Sequence, residues 1–250
     1  MKLQFAHQVS NVMALLAGFT RVKHRGAQEA SILLVTGQPG LGKTEAMRWF
    51  VTQEKHAVYI RAKSGWTRHW FLSDLLVELG YAPQRLTEDM FKQAKEALAL
   101  RQPTLVIDEV EHALMDHRVL EAIRDLVDLL CIPVVLVGMG EVRAKLIKHP
   151  QIWSRIATVV EFGPITLDDV HAAAKTLLDG VVLQPDLLAE LHRQCDGRMR
   201  LLLNGLRTCE RMTETAKVRS LALADVEGKE LIHDWTSKKP GTVSNLRVQK

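Results

Sequence analysis

The chain of 250 residues is 47% hydrophobic and 25% charged, with a formal net charge of +4. That composition supplies a sizeable core, excludes the disordered and collagen-like classes, and permits an acidic partner such as DNA without requiring one. Cys131, Cys195 and Cys209 are widely spaced and form no C-x-x-C pair, so they read as reduced core thiols of a cytoplasmic protein rather than a metal or disulfide framework. No apolar run reaches the length of a membrane span, and the N-terminus lacks a signal-peptide pattern.

Phe5 to Phe19 places Val9, Val12, Met13, Leu15 and Leu16 at helical spacing, which predicts a helix packed on the domain that follows. The polar and basic stretch Thr20 to Glu29 leads into Ser31–Thr36, an apolar run of buried-strand type. Directly after it comes Gly37-Gln38-Pro39-Gly40-Leu41-Gly42-Lys43-Thr44, a full G-x-x-x-x-G-K-[ST] phosphate loop, and Glu45 to Val51 continues as a helix. The glycines allow a tight turn that points successive N–H groups and the helix N-terminus at nucleotide phosphates. Lys43 would reach the β- and γ-phosphates of ATP, and the Thr44 hydroxyl would hold Mg²⁺.

A second strand spans Ala57 to Arg61, followed by the loop Ala62-Lys63-Ser64-Gly65-Trp66-Thr67-Arg68 and helices over His69–Leu79 and Glu88–Leu100. In that loop Arg61, Lys63 and Arg68 gather positive charge around a flexible turn, and Ser64 and Thr67 can donate to phosphate oxygens. Such contacts would position a duplex without reading its sequence. Trp66 suits sugar packing or, with Trp70 at i, i+4, a helix-face pair. The third strand, Thr104 to Glu109, ends in two carboxylates. Beside a phosphate loop, Asp108 would act on Mg²⁺ through a water and Glu109 would polarise the attacking water.

A helix over Val119–Leu130 precedes a fourth strand, Pro133–Val137; a helix near Glu141–Lys148 precedes a fifth, Thr158–Phe162. Alternating strands and helices predict a parallel sheet with crossover helices. After Gly163-Pro164 only helical periodicity remains, over Leu167–Leu178, Pro185–Cys195, Met199–Thr213 and Ala222–His233. The expected organisation is a lead-in helix (1–27), an α/β nucleotide domain (28–164), a small all-helical lid (165–234) and a flexible basic tail (235–250).

On the phosphate loop and the Asp108-Glu109 pair, the chain resembles an AAA+ ATPase from about Gln28 to His233. The resemblance implies strand order 5-1-4-3-2, a helical lid and an oligomer whose sites are shared between neighbours. Ile152-Trp153-Ser154-Arg155-Ile156 is similar to the family's arginine-finger segment, which implies that Arg155 reaches the γ-phosphate bound by the adjacent subunit. Asp196-Gly197-Arg198-Met199-Arg200 resembles the sensor-2 element, with Arg200 as the implied nucleotide contact and Arg198 in reserve. The family's polar residue after the fourth strand has no counterpart in Val137-Gly138-Met139-Gly140, a departure that bears on hydrolysis and its sensing.

Within the family, Ile107-Asp108-Glu109-Val110-Glu111, Val134-Val135-Leu136-Val137-Gly138 and Val58-Tyr59-Ile60-Arg61-Ala62-Lys63 look like the transposition ATPases typified by Mu phage transposition protein B and the TnsC regulators. That resemblance implies ATP-dependent assembly as a ring or helical filament on double-stranded DNA, target selection and stimulation of a DDE-type transposase in a bacterial or phage-infected cytoplasm. Two rival readings are a helicase loader or replication initiator related to IstB and DnaC, and a protein-binding switch with no DNA function.

Overall fold

The computed structural model describes residues 4–232. Helix α1 (Ser10–Lys23) precedes β1 (Ile32–Gly37), α2 (Lys43–Gln53), β2 (Val58–Arg61), α3 (Arg68–Glu78), α4 (Thr87–Arg101) and β3 (Leu105–Asp108). Next come α5 (His117–Leu130), β4 (Val134–Val137), α6 (Val142–Ile147), α7 (Pro150–Trp153) and β5 (Ile156–Phe162). The C-terminal part holds α8 (Leu167–Leu177), β6 (Val182–Leu183), α9 (Pro185–Cys195), α10 (Met199–Ala216) and β7 (Ser220–Leu221).

The five long-range strands form one parallel sheet in the order β2-β3-β4-β1-β5, the expected 5-1-4-3-2 read from the other edge. Strands β1, β3 and β4 are buried along their whole length, as a parallel sheet covered on both faces demands. Strand alternation divides their side chains between two cores. Leu33, Val35, Val106, Val135, Val137 and Val160 face α1, α2 and the C-terminal helices. Ile32, Leu34, Ile60, Leu105, Ile107 and Leu136 face α3, α4 and α5. An edge-to-face pair, Phe19 on Phe50 with centroids 4.8 Å apart, ties α1 to α2.

The C-terminal helices share the first of these cores. Leu187, Leu191, Leu202, Leu206 and Cys209 are each fully buried on the inner stripes of α9 and α10. The start of α1 is fastened to the segment that leads into this part. The Asn11 amide donates to the Gly163 carbonyl (2.9 Å) and accepts from the Gly163 N–H (3.0 Å).

Three elements differ from expectation. The helix expected over Ala222–His233 is a short 3-10 turn, Leu223–Val226, followed by irregular chain. Gly228 takes φ +75° there, outside helical space, and Leu231 and Ile232 pack as coil, with Ile232 against Gly205 of α10. The C-terminal part also holds a parallel pair, β6 with β7, whose strands of two residues are too short to show a period. A 3-10 helix, Val110–Met115, follows β3 directly. His233 and the expected basic tail lie outside the described residues. Among the described residues, no helix is long and apolar enough to cross a membrane.

Candidate functional site

The phosphate-loop sequence lies between β1 and α2 and turns as its glycines dictate. A Cβ on Gly37 would sit 2.7 Å from the Phe162 carbonyl oxygen of β5, so only glycine lets β1 end this close to its neighbour. Gly42 caps α2 in the left-handed region (φ 89°), and no side chain caps that helix. The first N–H groups of α2 are therefore left to a ligand. The Lys43 ammonium folds over the loop and donates to the carbonyls of Gly37 (2.6 Å) and Gln38 (2.9 Å). Burial pulls its pKa below the ordinary lysine value, against the raising influence of Glu111 and Asp108.

Beside the loop, β3 delivers its carboxylates at the same end of the sheet. Asp108 is buried (2% exposed). Its Oδ1 accepts the Glu109 N–H (2.8 Å), and its Oδ2 accepts the Tyr59 hydroxyl (2.8 Å). Glu109 is a non-glycine residue at φ 54°, a conformation found mostly where the surroundings enforce it. That twist interrupts strand alternation, and the Glu109 carboxylate meets the Arg61 guanidinium of β2. The hydrogen bond from Arg61 holds the Glu109 carboxyl below the usual range, its partial burial opposing. Burial and the Asp108 charge together push the Tyr59 hydroxyl well above the ordinary value, so it stays a proton donor.

A cleft of about 530 Å³ opens beside these groups. Its floor is Gly40, Leu41, Gly42, Lys43, Thr44 and Glu45, and one wall carries Arg61 and Glu109. Met199, Arg200 and Leu203 of α10 also line it, as do residues of the segment from Gln4 to Val12. Phe5 and His7 of that segment both stack on Trp49 of α2, with centroids 5.2 and 5.6 Å away. Gln38 and Pro39 are the exposed tip of the loop, and Glu45 pairs with Arg48 at 2.8 Å. The Arg200 N–H donates to the Gly40 carbonyl (3.1 Å), so the start of α10 rests on the loop while its side chain lines the cleft. Arg198 packs its stem near Gly40 and pairs with Asp196 at 3.5 Å.

The donor set fits a magnesium nucleotide. The Thr44 hydroxyl and Asp108 carboxylate are hard oxygen ligands. Lys43 and the uncapped N-terminus of α2 provide the cationic and N–H partners that phosphates need. Tyr59 and Glu111 belong to this neighbourhood and carried no role in the sequence reading. Glu111 Oε2 accepts from the Met139 N–H at 3.4 Å, so the polar group at the end of β4 arrives from the turn after β3. Its place two residues beyond Glu109 was the available signal.

The remaining candidates lie elsewhere. Arg155 precedes β5, and its carbonyl accepts from Ile32 N–H at the start of β1 (2.9 Å). The phosphate loop is at the far end of that strand, about 17 Å away at ~3.3 Å per residue, so Arg155 cannot serve its own chain's nucleotide. Asp128 of α5 holds its guanidinium through two hydrogen bonds, 2.9 and 2.8 Å.

In the β2–α3 loop, the structure rules out the surface role for Trp66. That ring is 1% exposed, packs edge-to-face on Phe71 and donates its Nε1–H to Asp74 (2.9 Å). Thr67 is the N-cap of α3, its Oγ1 accepting from the Trp70 N–H. Arg61 is drawn into the cleft by Glu109, and Arg68 stacks over Phe91 at 5.4 Å. Lys63 and Ser64 stay exposed, Lys63 pairing with Asp74 (2.9 Å) and standing 5.3 Å from the Trp70 ring. The aromatic face open to solvent is thus Trp70.

Residues 24–146 match the family described as AAA domain, and the five-stranded parallel sheet with its phosphate loop after β1 is the P-loop fold of AAA+ ATPases. No curated protein matches the chain. Similar solved structures include Cdc6p from Pyrobaculum aerophilum (20% identity, TM-score 0.58, 78% of this chain and 59% of that one). The Orc1 protein of Aeropyrum pernix, in complex with DNA, is 16% identical with TM-score 0.59 over 85% of this chain and 61% of that one. Domain III of the replication initiation protein DnaA from Thermotoga maritima is 19% identical, with TM-score 0.59 over 88% of this chain and 91% of the other. The chain thus spans about three fifths of the first two structures, and at these identities the likeness is one of fold.

Proposed function

We propose, with the AAA domain as premise, that this chain is an ATP-dependent ATPase that binds double-stranded DNA without sequence specificity, assembles on it and regulates transposition target choice by stimulating a DDE-type transposase. The observation that carries the ATPase core is that Lys43 and Glu109 line one cleft at the C-terminal ends of β1 and β3, the place where parallel sheets bind ligands, with Asp108 buried beside them and its charge acting on Lys43.

In this reading residues 28–164 bind the nucleotide and 165–234 form the lid. Lys43 and the N-terminal N–H groups of α2 hold the phosphates. Thr44 and Asp108 would hold Mg²⁺, which neutralises charge on the β- and γ-phosphates. Glu109 orients the attacking water and takes its proton. While Arg61 holds that carboxylate its basicity is lowered, so the ion pair must loosen for turnover. Arg200 contacts the nucleotide from the lid. Arg155, too far from its own cleft, acts on the nucleotide of an adjacent copy and exchanges Asp128 for a phosphate. ATP thereby becomes the bond between neighbours.

DNA contact falls to Lys63, Ser64 and Trp70. Strand β2, which leads into the loop of Lys63 and Ser64, also supplies Arg61, so the nucleotide site and this loop adjoin one short element. The transposition assignment is supported by the resemblance of the β2, β3 and β4 segments to the transposition ATPases. The same fold, seen in Orc1 with DNA, also accommodates a replication initiator or helicase loader. That reading predicts binding to a replicative helicase and to single-stranded DNA.

Imaging of the protein with duplex DNA in ATP, ADP or no nucleotide separates these readings. Regular filaments formed with ATP alone are expected, and Lys43→Ala should abolish them. Discrete rings indifferent to duplex, or DNA binding by Lys43→Ala that ATP still enhances, would overturn the proposal.

A further inference from the structure

We infer that Tyr59 is a positioning residue for Asp108, the carboxylate assigned to the metal; the inference rests on the nucleotide-site reading above and deepens it. Asp108 is buried, and a buried carboxylate without donors is costly. One of its oxygens is met by the N–H of the next residue and the other by the Tyr59 hydroxyl, each at 2.8 Å. The two donors occupy different oxygens and so set the plane of the carboxyl group.

The choice of donor matters. A lysine or arginine at this position would compete with a cation for the carboxylate charge. A neutral phenol orients the group and leaves that charge to a metal. The support is rigid because the ring belongs to the sheet. Tyr59 pairs in register with Val106 and Arg61 with Asp108, so Tyr59, Arg61 and Asp108 share one face. The Tyr59 ring packs on the core beneath α2, and the ring length carries its hydroxyl forward by one residue pair to the carboxylate. Strand β2 thereby steadies both functional carboxylates at the end of β3, Asp108 through Tyr59 and Glu109, the next residue, through Arg61.

The test is binding of a fluorescent ribose-labelled ATP, titrated with MgCl₂, to the wild type, Tyr59→Phe, Asp108→Asn and the double variant, with thermal melting of each. Removing a hydrogen bond to a charged group is expected to raise the Mg²⁺ concentration for half-maximal enhancement about tenfold in Tyr59→Phe. Binding without Mg²⁺ should be unchanged, and in the Asp108→Asn background the Phe substitution should add little. A Tyr59→Phe protein with the wild-type Mg²⁺ response overturns the inference, whether or not its melting temperature falls. A wild-type protein that binds the nucleotide with no Mg²⁺ response, or does not bind it, overturns the nucleotide-site reading itself.

Discussion

Removing the Asp169 carboxylate should loosen the chain at the point where its N-terminal segment meets the C-terminal part. Asp169 is 4% exposed and sits in the first turn of α8. It accepts from the Ser10 N–H (2.6 Å), the Ser10 hydroxyl (2.7 Å) and the Thr166 N–H (2.9 Å). The Asp169 N–H in turn donates to Thr166 Oγ1 at 3.2 Å, completing a capping box. Hydrogen bonds to charged groups contribute about 1.5–3 kcal/mol each and a cap about 1 kcal/mol. Ser10 lies at the surface, and water would replace part of what Asp169→Ala removes, so a net loss of about 2–4 kcal/mol is expected. For a chain of this size that corresponds to a melting temperature lower by roughly 5–15 °C.

The pH dependence has a definite sign. Burial works to raise the Asp169 pKa, but the hydrogen bonds from Ser10 and Thr166 outweigh it and the net value is lowered. A carboxylate lowered by folding contributes stability above its unfolded pKa, near 3.9, that disappears as pH falls through the folded value. The gap between wild type and Asp169→Ala should therefore be full at pH 7 and shrink below about pH 4. Thermal unfolding of both proteins from pH 7 to pH 3 measures it. A gap under 1 °C at neutral pH, or one that widens on acidification, would refute the reasoning.

Three further substitutions separate chemistry from architecture. Glu109→Gln should bind ATP normally, hydrolyse it at least about a hundredfold more slowly and keep DNA complexes longer; normal phosphate release would move the catalytic role to another carboxylate, with Glu111 next in line. In the β2–α3 loop, Trp66→Ala should cost about 3–5 kcal/mol of stability as an unfilled core site. Lys63→Ala should melt near the wild type yet weaken duplex binding and flatten its salt dependence by about one unit of slope. Melting curves and salt titrations of duplex affinity read the pair, and the opposite pattern would restore Trp66 as the surface residue.

Phosphate binding was legible in the sequence because it depends on local chemistry. A strand, glycines that can enter left-handed space and an uncapped helix start lie within fourteen consecutive residues, Ile32 to Glu45, and their geometry follows from φ, ψ and N–H direction alone. Alternating apolar runs and helices likewise dictated the parallel sheet, since buried strands and right-handed crossovers leave few other arrangements. Among the described residues, the apolar spacing over Ala222–His233 does not become a helix because Gly228 takes a φ that no helix accepts.

Pairings across the sheet were decided by the tertiary structure. Tyr59 meets Asp108 and Arg61 meets Glu109 only because β2 and β3 lie side by side in a particular register, from positions 48–49 residues apart in the chain. Trp66 and Trp70 look equivalent in the sequence, yet helix α3 begins between them and turns one ring into the core and the other toward solvent. Arg155 is kept from its own phosphate loop by the length of β1, and Asp128 of α5 holds its guanidinium instead. Residue identity sets what each group can do; the packing of distant segments sets which partner it has, and that is where the chemistry of this protein is assembled.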